Sequence, residues 1–96
     1  MFAHYVFRTP ARTYVCLSVR HTWDNDSWYC SYAELDTAIM TKWWKSKSWR
    51  AADVLHYGYI SGAFHDWHLI GENYTMEDEA EEAGRDFIAK TFMKKS

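Results

Sequence analysis

The segment Arg12–His21 reads RTYVCLSVRH, and its alternation decides the fold class. Val15, Leu17 and Val19 fall on one face of an extended strand, because side chains alternate sides along it. The opposite face carries the side chains of Tyr14, Cys16, Ser18 and Arg20. This pattern predicts a strand with one face buried and the other at least partly exposed to water.

Two further strands are predicted beside this segment. Phe2–Arg8 is rich in Val, Tyr and Phe, and Thr9-Pro10-Ala11 forms a turn between it and the central strand. Asp24-Asn25-Asp26 predicts a second turn, since Asn and Asp side chains bond to nearby backbone and tolerate left-handed conformations. The short segment Ser27–Cys30 then returns as a third strand.

Helices are predicted at two places. Ser31-Tyr32-Ala33-Glu34 has the capping-box pattern, and the helix that it begins runs to about Lys45. Thr75 caps a final helix whose apolar residues fall within one arc. Acidic residues at its start and lysines at its end match the helix dipole.

The segment 48–71 is compatible with two structures. A short helix over Trp49–Tyr57 would end at Gly58. Alternatively, Asp53–Ile60 and Ala63–Ile70 pair as a hairpin. We favour a short helical turn followed by the hairpin.

The resulting element order is ββ(β)αββα. Its simplest packing is an α+β fold, a small antiparallel sheet with two helices packed on one face. The length of 96 residues suits a single compact domain over residues 1–96. No repeat, low-complexity segment or linker divides the chain.

Composition indicates a binding surface. Aromatic residues make up 19% of the chain, more than so small a core requires, so several rings are expected on the surface. Residues 1–52 carry a charge of +3 and residues 53–96 a charge of −5. This asymmetry favours a protein that binds a partner through charged patches, although two differently charged helix faces would also produce it.

The segment Lys42–Arg50 reads KWWKSKSWR and interleaves aromatic with basic residues. Such a pattern suits stacking on bases or anchoring in a protein interface. It is equally the expected pattern of a helix end with tryptophans in the core and lysines at the negative end of the dipole. The acidic outer face of the final helix is the second candidate surface. The candidate partner-binding residues are Trp44, Lys45, Lys47, Trp49, Arg50, Glu79, Glu82 and Asp86.

No motif for catalysis or for a cofactor is present. His56 and His65 would be diagonal neighbours in the favoured hairpin, but Cys16 and Cys30 lack the close spacing of structural zinc ligands. Phosphate-binding and metalloprotease patterns are absent, and no feature pairs a thiol with a base. The sequence therefore predicts a non-enzyme without metal or cofactor, and a metal-dependent enzyme is the least favoured alternative.

The expected compartment is the cytoplasm. The N-terminal residues do not form a secretory signal, and the longest stretch without Asp, Glu, Lys or Arg, Val54–His65, is too short to cross a membrane. With the second turn centred on Asn25, Cys30 would face Arg20, roughly 13 Å along the strand from Cys16, which is beyond disulfide reach. Two reduced thiols are therefore predicted.

These features together favour a small interaction protein. The leading hypothesis is a phage-type inhibitor, similar in character to anti-defence and anti-CRISPR proteins, that binds and blocks a nucleic-acid-handling protein complex. The alternative is a single-stranded nucleic-acid-binding domain that uses residues 42–50. A homodimer formed through the aromatic surface is a further possibility that the sequence leaves open.

Overall fold

A computed structural model describes residues 2–43 and 50–94 of the chain. The strands are β1 (Phe2–Arg8), β2 (Tyr14–Thr22), β3 (Ser27–Glu34) and β4 (His68–Tyr74). The helices are α1 (Thr37–Trp43), α2 (Ala51–Ser61) and α3 (Glu77–Phe92). The strands form one antiparallel sheet in the order β1-β2-β3-β4. The predicted α+β class with a small antiparallel sheet is confirmed.

Strand β2 lies at the centre of two hydrophobic clusters. Val15, Leu17 and Val19 pack with Ala80 and Ile88 of α3 on one face of the sheet. Tyr14 and Cys16 point to the other face, where they pack with Met40 of α1 and Val54 of α2. Every residue from Tyr14 to Val19 is buried.

The arrangement of the helices corrects the prediction of two helices on one face. Helix α3 covers one face of the sheet, and α1 and α2 cover part of the other. The alternation in β2 did not predict this arrangement, because it indicated that the face with Tyr14 and Cys16 is partly exposed to water. Both side chains are apolar enough to be buried beneath a helix.

The segment after residue 50 forms a helix where a hairpin was favoured. Gly58 lies inside α2 and is buried against Phe64 and Leu35. Gly62 ends the helix in the left-handed conformation, with φ of 75°, and its N–H donates to the carbonyl of Tyr59. Ser61-Gly62 is therefore a helix C-terminus, which uses the same glycine chemistry as a hairpin turn.

The capping-box prediction at Ser31–Glu34 is wrong, because these residues end strand β3. Ser31 pairs with Ser18 in the sheet, and the Leu35 N–H donates to the carbonyl of Tyr14. Helix α1 begins later, with Asp36 accepting hydrogen bonds from the backbone of residues 38 and 39.

The final helix is confirmed with a later start. Helix α3 begins at Glu77, preceded by Met76 at the cap position, and Thr75 does not cap it. Ala80, Gly84 and Ile88 form its buried face.

Both cysteines are free and buried. Cys30 pairs with Val19 rather than facing Arg20, so it lies in the cluster beneath α3 while Cys16 lies in the opposite cluster. The two thiols are thus separated by the sheet itself, a stronger barrier to a disulfide than the predicted offset along the strands.

Candidate partner-binding surfaces

The structure describes only part of the predicted basic-aromatic surface. Trp44, Lys45, Lys47 and Trp49 lie outside the described residues. Arg50 is exposed and occupies the N-cap position of α2.

The predicted acidic residues share the outer side of α3. Glu79, Glu82 and Asp86 are all exposed, and their spacing of three and four residues places them on one helix face. Asp86 forms an ion pair with Lys90 at 2.9 Å. Glu79 and Glu82 form no ion pair with any residue in the described ranges. We call these three residues the α3 acidic face.

A larger candidate site lies on the opposite face of the sheet, beyond the part that α1 and α2 cover. There a cleft of about 350 Å³ opens over β2, β3 and the start of β4. We call it the open-face cleft, and it is lined by Ser18, Arg20, Tyr29, Ser31, Trp67 and Leu69.

The strand register builds this cleft from two adjacent rows of side chains. Ser18 of β2 pairs with Ser31 of β3, which in turn pairs with Leu69 of β4. In the next row Arg20 pairs with Tyr29. Two serines, one tyrosine and one leucine therefore lie side by side with one arginine. The cleft thus combines hydrogen-bonding and apolar groups.

An aromatic cluster separates the open-face cleft from the core under α2. The Tyr59 ring lies 4.5 Å from the His4 ring and 5.9 Å from the Trp67 ring, measured between centroids. Tyr59 also packs against the core cluster that contains Cys16. Tyr59 of α2 therefore links Trp67, which lines the cleft, to the core cluster under that helix.

The pKa shifts of His4, Cys16 and Tyr59 all favour the neutral form of the side chain. Burial, followed by the neighbouring Arg20 charge, lowers the pKa of His4 below its ordinary value of 6.5. Burial raises the pKa of Cys16 to about 12 and, together with that thiol, raises the pKa of Tyr59. Arg20 is the one cation among the described residues that line the open-face cleft.

A hydrogen-bonded network positions Trp67. The imidazole Nε2 of His65 lies 3.0 Å from Asp36 Oδ2, and its Nδ1 lies 3.0 Å from Asp66 Oδ2. These bonds raise the pKa of His65 and lower the pKa of Asp36. Because Asp36 also caps α1, the network ties the loop that carries Trp67 to the start of that helix.

His56 and His65, which were considered as metal ligands in the favoured hairpin, lie on different elements of the structure. His56 lies on α2 against the Tyr57 ring, whereas His65 lies in the following loop. Across residues 2–43 and 50–94, no group of three or more His, Cys, Asp or Glu side chains is arranged to hold a metal ion.

The open-face cleft was not predicted from the sequence. Its local signal is the run of polar or small residues at alternate positions, Ser18 and Arg20 on β2 and Tyr29 and Ser31 on β3. That signal marks a wet face. The part of this sheet face that stays uncovered depends on the length and placement of α2. These in turn depend on contacts such as that of Gly58 with Phe64.

Comparison with known proteins supplies no relative. No protein-family model, curated protein or solved structure matches the chain. Among the described residues, none of the helices has the length and apolar character needed to cross a membrane.

Proposed function

We propose that the protein is a non-catalytic interaction protein that binds another protein through the open-face cleft. The supporting observation is the composition of the cleft, which combines Tyr29 and Arg20 of the sheet with Trp67 of the loop before β4. Trp, Tyr and Arg are the residues that most often dominate binding energy in protein interfaces. Trp67 is 36% exposed and Leu69 is 57% exposed, so both offer apolar area that a partner would bury.

The serines complete the chemistry of the cleft. Ser18 is buried and accepts a hydrogen bond from the Nε–H of Arg20 at 3.2 Å, which holds the guanidinium across the sheet. An arginine restrained in this way loses less side-chain freedom when it binds a carboxylate or a carbonyl group of a partner.

The partner class in this proposal is a nucleic-acid-handling protein complex, which the protein blocks in the cytoplasm in the manner of a phage anti-defence or anti-CRISPR inhibitor. The α3 acidic face supports this choice, because exposed carboxylates on one side of a helix complement a basic nucleic-acid-binding groove. Two buried, free thiols are consistent with a reducing compartment.

Affinity capture from a nuclease-treated lysate of the cells that contain the protein tests this proposal. We expect Trp67→Ala and Leu69→Ser to reduce recovery of the partner by about tenfold or more, as for interface anchors. The double variant Glu79→Lys, Glu82→Lys should also reduce recovery, and the reduction should be larger at low salt, because the added positive charges repel a basic partner surface. The control is Ala11→Ser, an exposed position in the β1–β2 turn. Equal recovery by all variants would show that neither surface binds the partner.

Direct binding of single-stranded nucleic acid is the second candidate function. Tyr29 and Trp67 beside Arg20 form an aromatic surface with a cation, on which a base could stack and a phosphate be neutralised. Tryptophan fluorescence titration with short DNA and RNA strands at low and high salt tests it. Saturable quenching that weakens with salt and disappears in Trp67→Ala would favour this function, whereas no quenching at low salt would exclude it.

A further inference from the structure

A second cleft lies at the end of the β2–β3 hairpin and takes no part in the function proposed above. It has a volume of about 270 Å³ and is lined by His21, Trp23, Asp26 and Trp28. We call it the hairpin-tip cleft. It lies on the α3 side of the sheet, because Trp28 packs with the cluster beneath that helix.

His21 connects the two indole rings of this cleft. Its ring meets Trp23 at a centroid distance of 4.5 Å and Trp28 at 5.1 Å, edge to face in both contacts. The His21 side chain is only 9% exposed, and its Nε2 lies 2.7 Å from Asp26 Oδ1. The enclosed Nδ1 has no hydrogen-bond partner among the described residues. His21 therefore fixes both the aromatic walls and the carboxylate.

The turn that carries these side chains is held in place. Ser27 Oγ donates to Asn25 Oδ1 at 2.7 Å, and the Asn25 amide donates to Asn73 of β4 at 3.3 Å. Asp26 adopts φ of 49°, a left-handed conformation that Asp tolerates better than most residues. The cleft is thus built on a restrained turn, and little ordering is needed when a ligand binds.

Trp23 has no structural role that accounts for its position. Its side chain is 81% exposed, more than any other large hydrophobic residue in the described part of the chain. Leaving an indole in water forgoes about 2 kcal/mol of burial, and the ring contacts the His21 ring at the edge of the cleft. An exposed, oriented tryptophan beside a carboxylate is typical of a site that binds a cation.

The chemistry of the walls selects among cations. A guanidinium group is planar and weakly hydrated, and it stacks on indole while donating hydrogen bonds to a carboxylate. Asp26 is 93% exposed, and its second oxygen accepts no hydrogen bond within the described residues. A quaternary ammonium could not donate to that oxygen, and a primary ammonium loses more hydration on entering an aromatic site. We propose that the hairpin-tip cleft binds an arginine side chain of a protein partner.

The test is an NMR titration of the protein labelled with ¹⁵N at its indole nitrogens. The probe is N-acetyl-arginine amide, and the matched neutral control is N-acetyl-citrulline amide, which has nearly the same shape without the charge. We expect saturable shifts of the Trp23 and Trp28 indole signals with the arginine probe only. Equal shifts with citrulline, no saturable shift, or equal affinity for the corresponding lysine amide would overturn the proposal.

Variants of the turn give an independent readout. Asp26→Asn should weaken binding of the arginine probe by about tenfold, the loss of one charge-assisted hydrogen bond. Asp24 lies two residues from Asp26, and its side chain does not line the cleft. Asp24→Asn removes the same charge, so it should change the affinity for the arginine probe far less. Trp23→Ala should abolish binding and leave the remaining indole signals in place, which shows that the fold is retained. Equal effects of Asp24→Asn and Asp26→Asn would contradict the site. Because the probe is a small molecule, this result is independent of the open-face cleft and its partner.

Discussion

Gly84 of α3 packs directly against Leu17 of β2. A Cβ atom at this position would overlap the fully buried side chain of Leu17. Overpacking of this kind costs about 1–3 kcal/mol and the gain in helix propensity is about 1 kcal/mol, so Gly84→Ala should lower the free energy of unfolding by up to about 2 kcal/mol. Urea unfolding measures the change.

The exposed residue Ala89 on the same helix supplies the control for propensity. Ala89→Gly should cost about 1 kcal/mol without any packing effect. If Gly84→Ala instead raises the free energy of unfolding, then α3 does not pack on Leu17 as described.

The environments of His4 and His65 shift their pKa values in opposite directions. The pKa of His4 lies below the ordinary value of 6.5, so its folded form is neutral and its contribution to stability is present above pH 6.5 and lost as pH falls below it. The pKa of His65 is raised, so its contribution is present below pH 6.5 and lost as pH rises through the folded value. An NMR titration of the imidazole signals should show His65 titrating at higher pH than His4, and the reverse order would contradict both environments.

At the scale of elements, the loop between α2 and β4 depends on the start of α1. Asp36 caps α1 and accepts from His65, which precedes Trp67 by two residues. Asp36→Ala should lower the melting temperature and also shift the indole signal of Trp67, because one substitution releases both contacts. Asp24→Asn, an exposed acid elsewhere, is the control. A change in melting temperature without a change at Trp67 would show that the loop is positioned independently of the helix.

Elements with a regular local pattern could be predicted from the sequence. The alternation in Arg12–His21 indicates β2, and the apolar arc that includes Ala80, Gly84 and Ile88 indicates α3. For the segment that forms α2, a hairpin was favoured over the alternative helix because Tyr57, Tyr59 and Ile60 have strand propensity. Contacts of Gly58 with Phe64 and Leu35, which no local pattern reveals, stabilise the helix instead.

The open-face cleft could not be predicted for the same reason. Its residues come from three strands and a loop, and their neighbourhood depends on register and on the extent of α2. The hairpin-tip cleft is different, since all four of its residues fall within His21–Trp28. A tight turn flanked by two tryptophans, a histidine and an acid is a local signal that sequence reasoning could have used.

At the scale of the whole molecule, β2 contributes to both hydrophobic clusters, so the two faces should unfold together. Cys16 reports on one face and Cys30 on the other, and burial raises the pKa of both thiols. We expect neither thiol to react with a disulfide reagent in the native protein at neutral pH, and both to become reactive over the same range of urea concentration. Labelling of one thiol at clearly lower urea concentration would show that the two clusters unfold separately.

The open-face cleft and the α3 acidic face lie on opposite sides of the sheet. We propose the open-face cleft as the principal binding site. Photo-cross-linking shows directly which surface contacts the partner. A benzoylphenylalanine placed at position 69, 82 or 11 samples the open-face cleft, the α3 acidic face or the remote β1–β2 turn. We expect a cross-link to a protein partner from position 69 and none from position 11. A cross-link from position 82 or 11 without one from position 69 would contradict this proposal.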